Sequence, residues 1–118
     1  MKNRGAVPSI LGCAILFAVF LLGCQNNSPL PGTDQVVIAS FQFNPASITI
    51  SKGTTITWTN NDSVTHTITS GVYPQSNGLF NSGNLAPSQS FTHTFDATGT
   101  FHYYCGIHSF MTGTIIVQ

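Results

Sequence analysis

Apolar and polar residues alternate along most of the chain after position 34, in short runs separated by Gly, Pro, Asn and Ser. Ile48 and Ile50 alternate with Thr and Ser, and after a Lys-Gly turn Ile56 and Trp58 alternate with threonines. A period of two residues turns one face of a strand toward a core and the other toward water. The pattern therefore predicts that these two segments form an antiparallel β-hairpin.

The same alternation recurs through the second half of the chain. It predicts further strands at or near residues 64–70, 79–82, 91–95, 101–105 and 113–117. Turn-forming residues separate these runs, and no convincing helical pattern is found after position 34. Seven or eight short strands of this kind predict an all-β fold, a Greek-key β-sandwich of two packed sheets.

Aromatic residues provide the bulk that the core of so small a domain needs. His93 alternates in phase with Phe91 and Phe95, which predicts a histidine on the core side. His102 alternates out of phase with its aromatic neighbours and is predicted to face solvent, and Phe110 is assigned to the surface. The predicted core aromatic residues are Trp58, Tyr103, Phe41, Phe43, Phe80, Phe91, Phe95 and Phe101.

The beginning of the chain has a different pattern. Lys2 and Arg4 precede an apolar run over residues 10–22, which is followed by Gly23 and Cys24. A basic start, a short apolar stretch and a small residue before the cut predict a secretory signal peptide. A transmembrane anchor is the less favoured alternative, because a spanning helix needs about 20 apolar residues.

The Leu-Leu-Gly-Cys sequence that ends this run resembles a bacterial lipobox. The resemblance implies that Cys24 becomes the first mature residue and carries a lipid. We therefore expect a signal peptide at 1–23, the lipidated Cys and a polar tether at 24–34, and a β domain at 35–118. The expected location is the cell envelope, on the periplasmic side of a membrane or at the cell surface.

Charge and cysteine content narrow the possible partners. Removal of the signal peptide leaves Lys52 against three aspartates, a net charge of −2. So few basic residues exclude nucleic acid, which requires a basic surface. Cys105 is then the sole free thiol of the exported domain. A lone thiol in an oxidising compartment is a liability unless it is buried or bound, and metal ligation meets that need.

Metal-binding residue types are concentrated near the end of the chain. Cys105, His108 and Met111 lie within seven residues, and His66, in a strand-like segment upstream, is the best candidate for a fourth ligand. Two His, one Cys and one distant Met are the ligands of a blue-copper electron-transfer site. The sequence therefore predicts one copper ion at one end of the sandwich.

Three other interpretations of these residues remain open. Cys105 and His108 could form a nucleophile and its base, although so small a domain offers no evident third group or cleft. A structural zinc site usually has four Cys or His ligands, often in paired Cys motifs. Met111 could be an ordinary core residue.

Several motifs resemble the plastocyanin-like cupredoxins, over residues 35–118. They are Phe43-Asn44-Pro45 with the following Ile48, Ile50, Gly53, Trp58 and Asn60; the run Phe80–Leu85 with Pro87, Phe91 and Phe95; and Gly99-Thr100-Phe101 leading to Cys105. The ligand loop, with two residues between Cys and His and two between His and Met, is most similar to that of the amicyanins. The resemblance implies a type 1 copper ion held by His66, Cys105, His108 and Met111.

The chain departs from the family pattern beside two of these ligands. Thr67 stands where the family usually has an Asn that braces the Cys loop, and Ser109 stands where it often has Pro. Residues around the ligands tune ligand orientation and potential. We therefore expect a brace at Thr67 that is shorter or differently made.

The resemblance implies a one-electron carrier that transforms no substrate and is not an enzyme. Its electron port is expected at His108, ringed by the apolar residues Ile107 and Phe110, with Val72 and Pro74 as further candidates. The expected partners are redox proteins such as c-type cytochromes or copper and haem oxidoreductases, bound transiently, and a membrane through the lipid. The alternative is an envelope copper-binding or copper-delivery protein that uses the same ligands.

Overall fold

The computed structural model describes residues 33–118, so the predicted signal peptide, Cys24 and most of the tether lie outside the described residues. Within this range, nothing could cross a membrane as a helix. The elements described are all strands: β1 (Thr33–Ala39), β2 (Gln42–Asn44), β3 (Ser47–Ile50), β4 (Thr54–Asn60), β5 (Thr69–Val72), β6 (Gln75–Asn81), β7 (Ser90–Phe95), β8 (Gly99–Tyr104) and β9 (Thr112–Val117).

The strands form two sheets that pack face to face. One sheet has the order β2-β1-β4-β7 and the other the order β3-β9-β8-β5-β6. The β1–β4 and β3–β9 pairs are parallel, and the other pairs are antiparallel. Most connections cross from one sheet to the other, as the predicted Greek-key sandwich requires.

The predicted hairpin of β3 and β4 is wrong. β3 pairs with β9 in one sheet, whereas β4 lies between β1 and β7 in the other. The turn after Ile50 crosses the end of the sandwich, so the apolar residues of both strands enter the same core from opposite sides. A period of two residues predicts which face is buried but not which sheet a strand joins.

The strand count and some bounds also differ from the sequence prediction. Nine strands are found in residues 33–118 rather than seven or eight. β1 already begins at Thr33, two residues before the predicted domain start. β6 spans seven residues where only a short strand was expected, because its exposed polar half pairs with β5 through the backbone. β5 begins at Thr69 instead of Val64.

Trp58 lies at the centre of the aromatic core. Its ring centroid is 5.5 Å from that of Tyr103, 5.7 Å from those of Phe80 and Phe91, and 6.5 Å from that of Phe95. Rings at these separations contribute about 0.5–1.5 kcal/mol per pair beyond the burial of their area. The predicted aromatic core is therefore confirmed for these residues.

Phe41 was predicted in the core but is 40% exposed. It lies in the tight turn between β1 and β2 with a φ of 57°. The turn interrupts the alternation of the strands, so the residue leaves the inward face. Phe110 is 70% exposed, as predicted.

The two remaining histidines lie where the alternation predicts. His93 is half-buried on the core side, with its ring centroid 4.8 Å from those of Phe80 and Phe95. Burial lowers the pKa of His93, and the charge of Asp96 opposes part of that effect. His102 is exposed.

Tyr103 packs against the backbone of the neighbouring strand at Gly113. A Cβ atom at Gly113 would overlap the Tyr103 ring, so the strand pair depends on a residue without a side chain there. Burial raises the pKa of Tyr103 to about 12. Among the described residues, the Tyr103 hydroxyl and the Trp58 Nε1 lack a hydrogen-bond partner.

The two ends of the sandwich differ in what they hold. At one end, which we call the remote end, Thr33 of β1 is paired with Thr55 of β4. The Gly53 N–H donates to the Phe95 carbonyl at this end. Lys52 N–H donates to the Gln118 carbonyl at the same end, 3.0 Å away. β4 and β8 both run from there toward the opposite end, called the ligand end, where the predicted copper ligands lie.

Candidate metal centre

The Cys105–Met111 loop begins where β8 ends. Cys105 is a free, fully buried thiol. Its N–H donates to the Met111 carbonyl at 3.1 Å, and the Met111 N–H donates to the His108 carbonyl at 2.9 Å. These two bonds close the loop into a compact turn, which explains why residues three apart in the sequence reach one centre.

His66 enters the site on an irregular segment rather than on the predicted strand. Asn60 is fully buried and organises this segment. Its Nδ2 donates to the carbonyls of Val64 and Leu85 at 2.8 and 2.9 Å, and its Oδ1 accepts from the Asp62 N–H at 2.9 Å. His66 also exchanges two backbone hydrogen bonds with Leu85. A buried amide with all these partners replaces sheet pairing and fixes the segment.

Three donor atoms form a compact triangle. His66 Nδ1 lies 3.1 Å from His108 Nδ1, and Cys105 Sγ lies 3.7 Å from the first and 3.6 Å from the second. The point equidistant from the three atoms is about 2.0 Å from each, close to the lengths of about 2.0–2.3 Å that nitrogen and sulfur ligands make to a first-row divalent ion. The residues therefore fit a metal ion in a trigonal arrangement without moving.

Met111, the fourth residue of the candidate ligand set, lies close to this triangle. It is 2% exposed and closes the loop through its backbone, as described above. One thiolate, two imidazoles and a thioether favour copper over zinc, which prefers four strong ligands in a closed site. The structure thus brings together His66, Cys105, His108 and Met111.

Thr67 forms the brace between the two ligand-bearing segments. Its hydroxyl accepts the Gly106 N–H at 2.7 Å, and its own N–H donates to Cys105 Sγ at 3.4 Å. The hydroxyl also lies 3.0 Å from that of Thr69. The Thr67 side chain and backbone therefore tie the Cys105 loop to the His66 segment, and the effect of this residue on the metal site stays a prediction. Ser109 is exposed, and its influence on the site stays a prediction.

Asp62 is not among the predicted site residues, yet it contacts the candidate ligand His66. Its Oδ2 lies 2.8 Å from His66 Nε2, the ring nitrogen opposite the Nδ1 atom that belongs to the triangle. The N–H groups of Ser40 and Phe41 also donate to this carboxylate, at 2.7 and 2.9 Å. Burial by itself raises the pKa of Asp62, but the bonds from Phe41, His66 and Ser40 together lower it below its usual value. A carboxylate four residues before a candidate ligand His was the available signal.

The ligands differ in their access to solvent. His66 and Cys105 are fully buried, whereas His108 is only half-buried. Exposed apolar side chains lie at this end of the molecule, and we call the following three the apolar patch: Phe41, Ile107 and Phe110, exposed by 40%, 50% and 70%.

The other two candidates for this surface, Val72 and Pro74, are exposed. Val72 lines a separate depression with His102 and Tyr104, on the flank of the second sheet. That Val72 and Pro74 belong to the electron port stays a prediction.

A β-sandwich with this donor set at one end defines the class of type 1 copper proteins, and comparisons with known proteins agree. A profile of the cupredoxin-like domain matches residues 12–117. Amicyanin-alpha of Methylorubrum extorquens is 30% identical over 87 residues, which cover 74% of this chain and 73% of that protein. Plastocyanin of Scenedesmus fuscus is 38% identical over 86 residues, covering 64% of this chain and 86% of that protein.

A solved structure of a purple cupredoxin from Nitrosopumilus maritimus superposes with a TM-score of 0.67 at 35% identity, covering 72% of this chain and 99% of that one. The chain belongs to the cupredoxin family. Proteins of this class carry single electrons and transform no substrate, so the predicted class is confirmed.

Proposed function

We propose that this chain is a membrane-tethered electron carrier in which His66, Cys105, His108 and Met111 hold one copper ion. The observation that chiefly supports the ligand assignment is the triangle of two imidazole nitrogens and one sulfur, with sides of 3.1, 3.6 and 3.7 Å. The copper supplies a one-electron couple between its cupric and cuprous states.

The surrounding residues hold the donor atoms in place before any metal binds. Thr67 ties the Cys105 loop to the His66 segment, and Asn60 fixes that segment from behind. A site whose ligands are already placed has little to rearrange when its charge changes. This rigidity favours a carrier over a delivery protein, which must release its metal.

Electrons are expected to enter and leave at His108. Of the four candidate ligands, only His108 is half-buried, whereas His66, Cys105 and Met111 are at most 2% exposed. The apolar patch beside it suits a small, transient interface with a redox protein such as a c-type cytochrome or a copper or haem oxidoreductase. Lys52 and three scattered aspartates give little electrostatic steering, so the reaction rate with a partner should depend weakly on ionic strength.

The test of the ligand assignment is the absorption and paramagnetic-resonance spectrum of the copper-loaded domain. Wild-type protein should show intense thiolate-to-copper absorption, and Cys105→Ser should lose it entirely. His102→Ala, which removes a histidine outside the site, is the matched control and should keep the spectrum. A Cys105 that is freely alkylated in protein carrying its full copper would contradict the proposal.

The same preparation separates the carrier from the delivery alternative. A carrier should retain copper through repeated reduction and reoxidation in the presence of a mild chelator. Rapid loss of the metal in either oxidation state would favour an envelope copper-delivery protein.

The lipid anchor is proposed from the sequence at Cys24 alone. The full chain, expressed in a bacterium, should fractionate with membranes and yield an acylated N-terminal peptide by mass spectrometry. Cys24→Ser should move the protein to the soluble fraction. Cys13→Ser, which changes the cysteine inside the apolar run of residues 10–22, is the control and should not. Membrane association that survives Cys24→Ser without acylation would favour the transmembrane alternative.

A further inference from the structure

The turn between β1 and β2 has a backbone that does not suit its sequence. Ala39 pairs with Gln42, which leaves Ser40 and Phe41 as a two-residue loop. Both loop residues have positive φ, 53° and 57°. Hairpin loops of this kind strongly prefer Asn-Gly or a similar pair, and a bulky residue with positive φ costs free energy.

Asp62 compensates for this unfavourable backbone. Each carboxylate oxygen accepts one N–H from the turn, that of Ser40 at 2.7 Å and that of Phe41 at 2.9 Å. The same carboxylate lies 2.8 Å from His66 Nε2. Charge-assisted hydrogen bonds are the strong ones in proteins. The turn is therefore fastened to a ligand-bearing segment instead of being free at the surface.

The Phe41 ring contacts both candidate histidine ligands. Its centroid lies 5.5 Å from that of His66 and 5.0 Å from that of His108, at interplanar angles of 84° and 85°. This is the edge-to-face arrangement that aromatic rings prefer. Phe110 approaches only His108, with its centroid 6.3 Å away and the rings tilted at 54°.

A strained residue that packs on two ligands points to a role in the site. Phe41 lies outside the aromatic core, so its ring does little for the interior of the sandwich. Strained backbone persists where the surroundings over-determine it, and such positions cluster at functional sites. A glycine would satisfy the backbone here, but it would leave both imidazoles without their shared neighbour.

We propose that Phe41 is a positioning residue of the metal site, which the Asp62-fastened turn holds edge-on against both imidazoles so that His66 and His108 keep their donor orientation. The proposal rests on the copper site described above. It assigns a function to a residue that was predicted to belong to the aromatic core.

The decisive variant is Phe41→Gly, because it should affect the fold and the site in opposite directions. Glycine relieves the positive φ, so the apoprotein should unfold at an equal or higher denaturant concentration. Loss of the ring should let the half-buried His108 imidazole sample other orientations, which NMR of the labelled histidine side chains in the apoprotein measures as averaged or broadened signals. Losing a residue that supports a ligand usually lowers metal affinity by about 10–100-fold. Because such losses appear mainly in the dissociation rate, the rate at which a chelator removes Cu(I) should rise by about the same factor.

Two further variants serve as controls. Phe110→Ala removes a neighbouring ring from the apolar patch and should leave the histidine signals and the chelation rate within about twofold of wild type. Phe41→Tyr keeps the edge contact and should restore wild-type behaviour.

The outcomes separate this inference from the proposed function. If Phe41→Gly leaves both the histidine signals and the chelation rate unchanged, Phe41 is not a positioning residue, although the copper site stands. If the wild-type chain itself fails to hold copper, the proposed function fails. Histidine signals in the apoprotein still report on Phe41 in that case.

Discussion

The ligand end and the aromatic core of this sandwich are held together in different ways. At the ligand end, side chains are fixed by hydrogen bonds between particular atoms, as with Asn60, Thr67 and Asp62. In the core, rings pack around Trp58, and its Nε1 and the Tyr103 hydroxyl lack partners among the described residues. The geometry of the site and the stability of the fold therefore have separate origins, so substitutions should change one without the other.

The largest effect on stability should come from Gly113→Ala in the core. Its Cβ would overlap the Tyr103 ring, and overpacking of this kind costs about 1–3 kcal/mol or more because the strands must move apart. Urea unfolding of the copper-free domain measures the loss. Thr112→Ala, on the same strand and exposed, is the control and should change stability by less than about 0.5 kcal/mol. Folded Gly113→Ala protein should keep the wild-type copper spectrum, and equal stability of the two variants would refute the close approach.

Met111→Leu, at the ligand end, should change the copper spectrum and potential but have little effect on stability. Leucine nearly conserves the buried volume, so the free energy of unfolding should fall by less than about 1.5 kcal/mol. The loss of the thioether should shift the visible band and raise the reduction potential, since the axial ligand tunes both. Absorption spectroscopy and voltammetry on the same sample measure these changes. An unshifted band and potential would mean that Met111 is only a core residue.

A smaller effect on stability is expected from the titration of His93, at the edge of the core. Burial lowers its pKa, so the unfolded chain, with a pKa near 6.5, binds a proton more readily than the folded domain does. Stability is therefore fully present above about pH 6.5 and should fall as the pH drops below it. In His93→Leu this part of the pH dependence should disappear, as urea midpoints of the copper-free protein from pH 5 to pH 8 would show. A variant with the wild-type slope would contradict the assignment.

Tyr103→Phe should have the smallest effect at neutral pH. Removal of a buried hydroxyl that lacks a partner should be neutral or stabilising by up to about 1 kcal/mol. Burial raises the Tyr103 pKa to about 12, so wild-type stability should decline as the pH rises above about 10, the pKa of an exposed tyrosine. Thermal unfolding at pH 7 and pH 10.5 measures both effects. A clear loss of stability at pH 7 would mean that the hydroxyl has a partner.

Much of the fold and the ligand set could be predicted because their signals are local. Alternation identified the inward faces of β4 and β7, and the Cys-x2-His-x2-Met spacing identified one loop as a metal site. The partition of β3 and β4 into different sheets could not be predicted, because it depends on long-range pairing with β9 and β1. Alternation carries no information about such partners.

Two residues at the site were not predicted there, for a related reason. Phe41 has the composition of a core residue, and only the positive φ of its turn removes it from the inward face. Asp62 follows two asparagines in what looks like a simple turn, and its contact with His66 depends on a segment that Asn60 holds in an irregular path. Contacts created by irregular backbone leave no periodic pattern in the sequence.

The direction of β1 has a practical consequence for measuring this protein. The strand enters the sandwich at the remote end, and its seven residues span about 20 Å before the turn at Ser40. Gln118 lies at that same end. A soluble domain attached to a gold electrode through a linker at residue 33 should therefore turn His108 away from the gold and exchange electrons with dissolved mediators. Attachment through a cysteine engineered at Ile107 should instead bring the His108 ring against the gold.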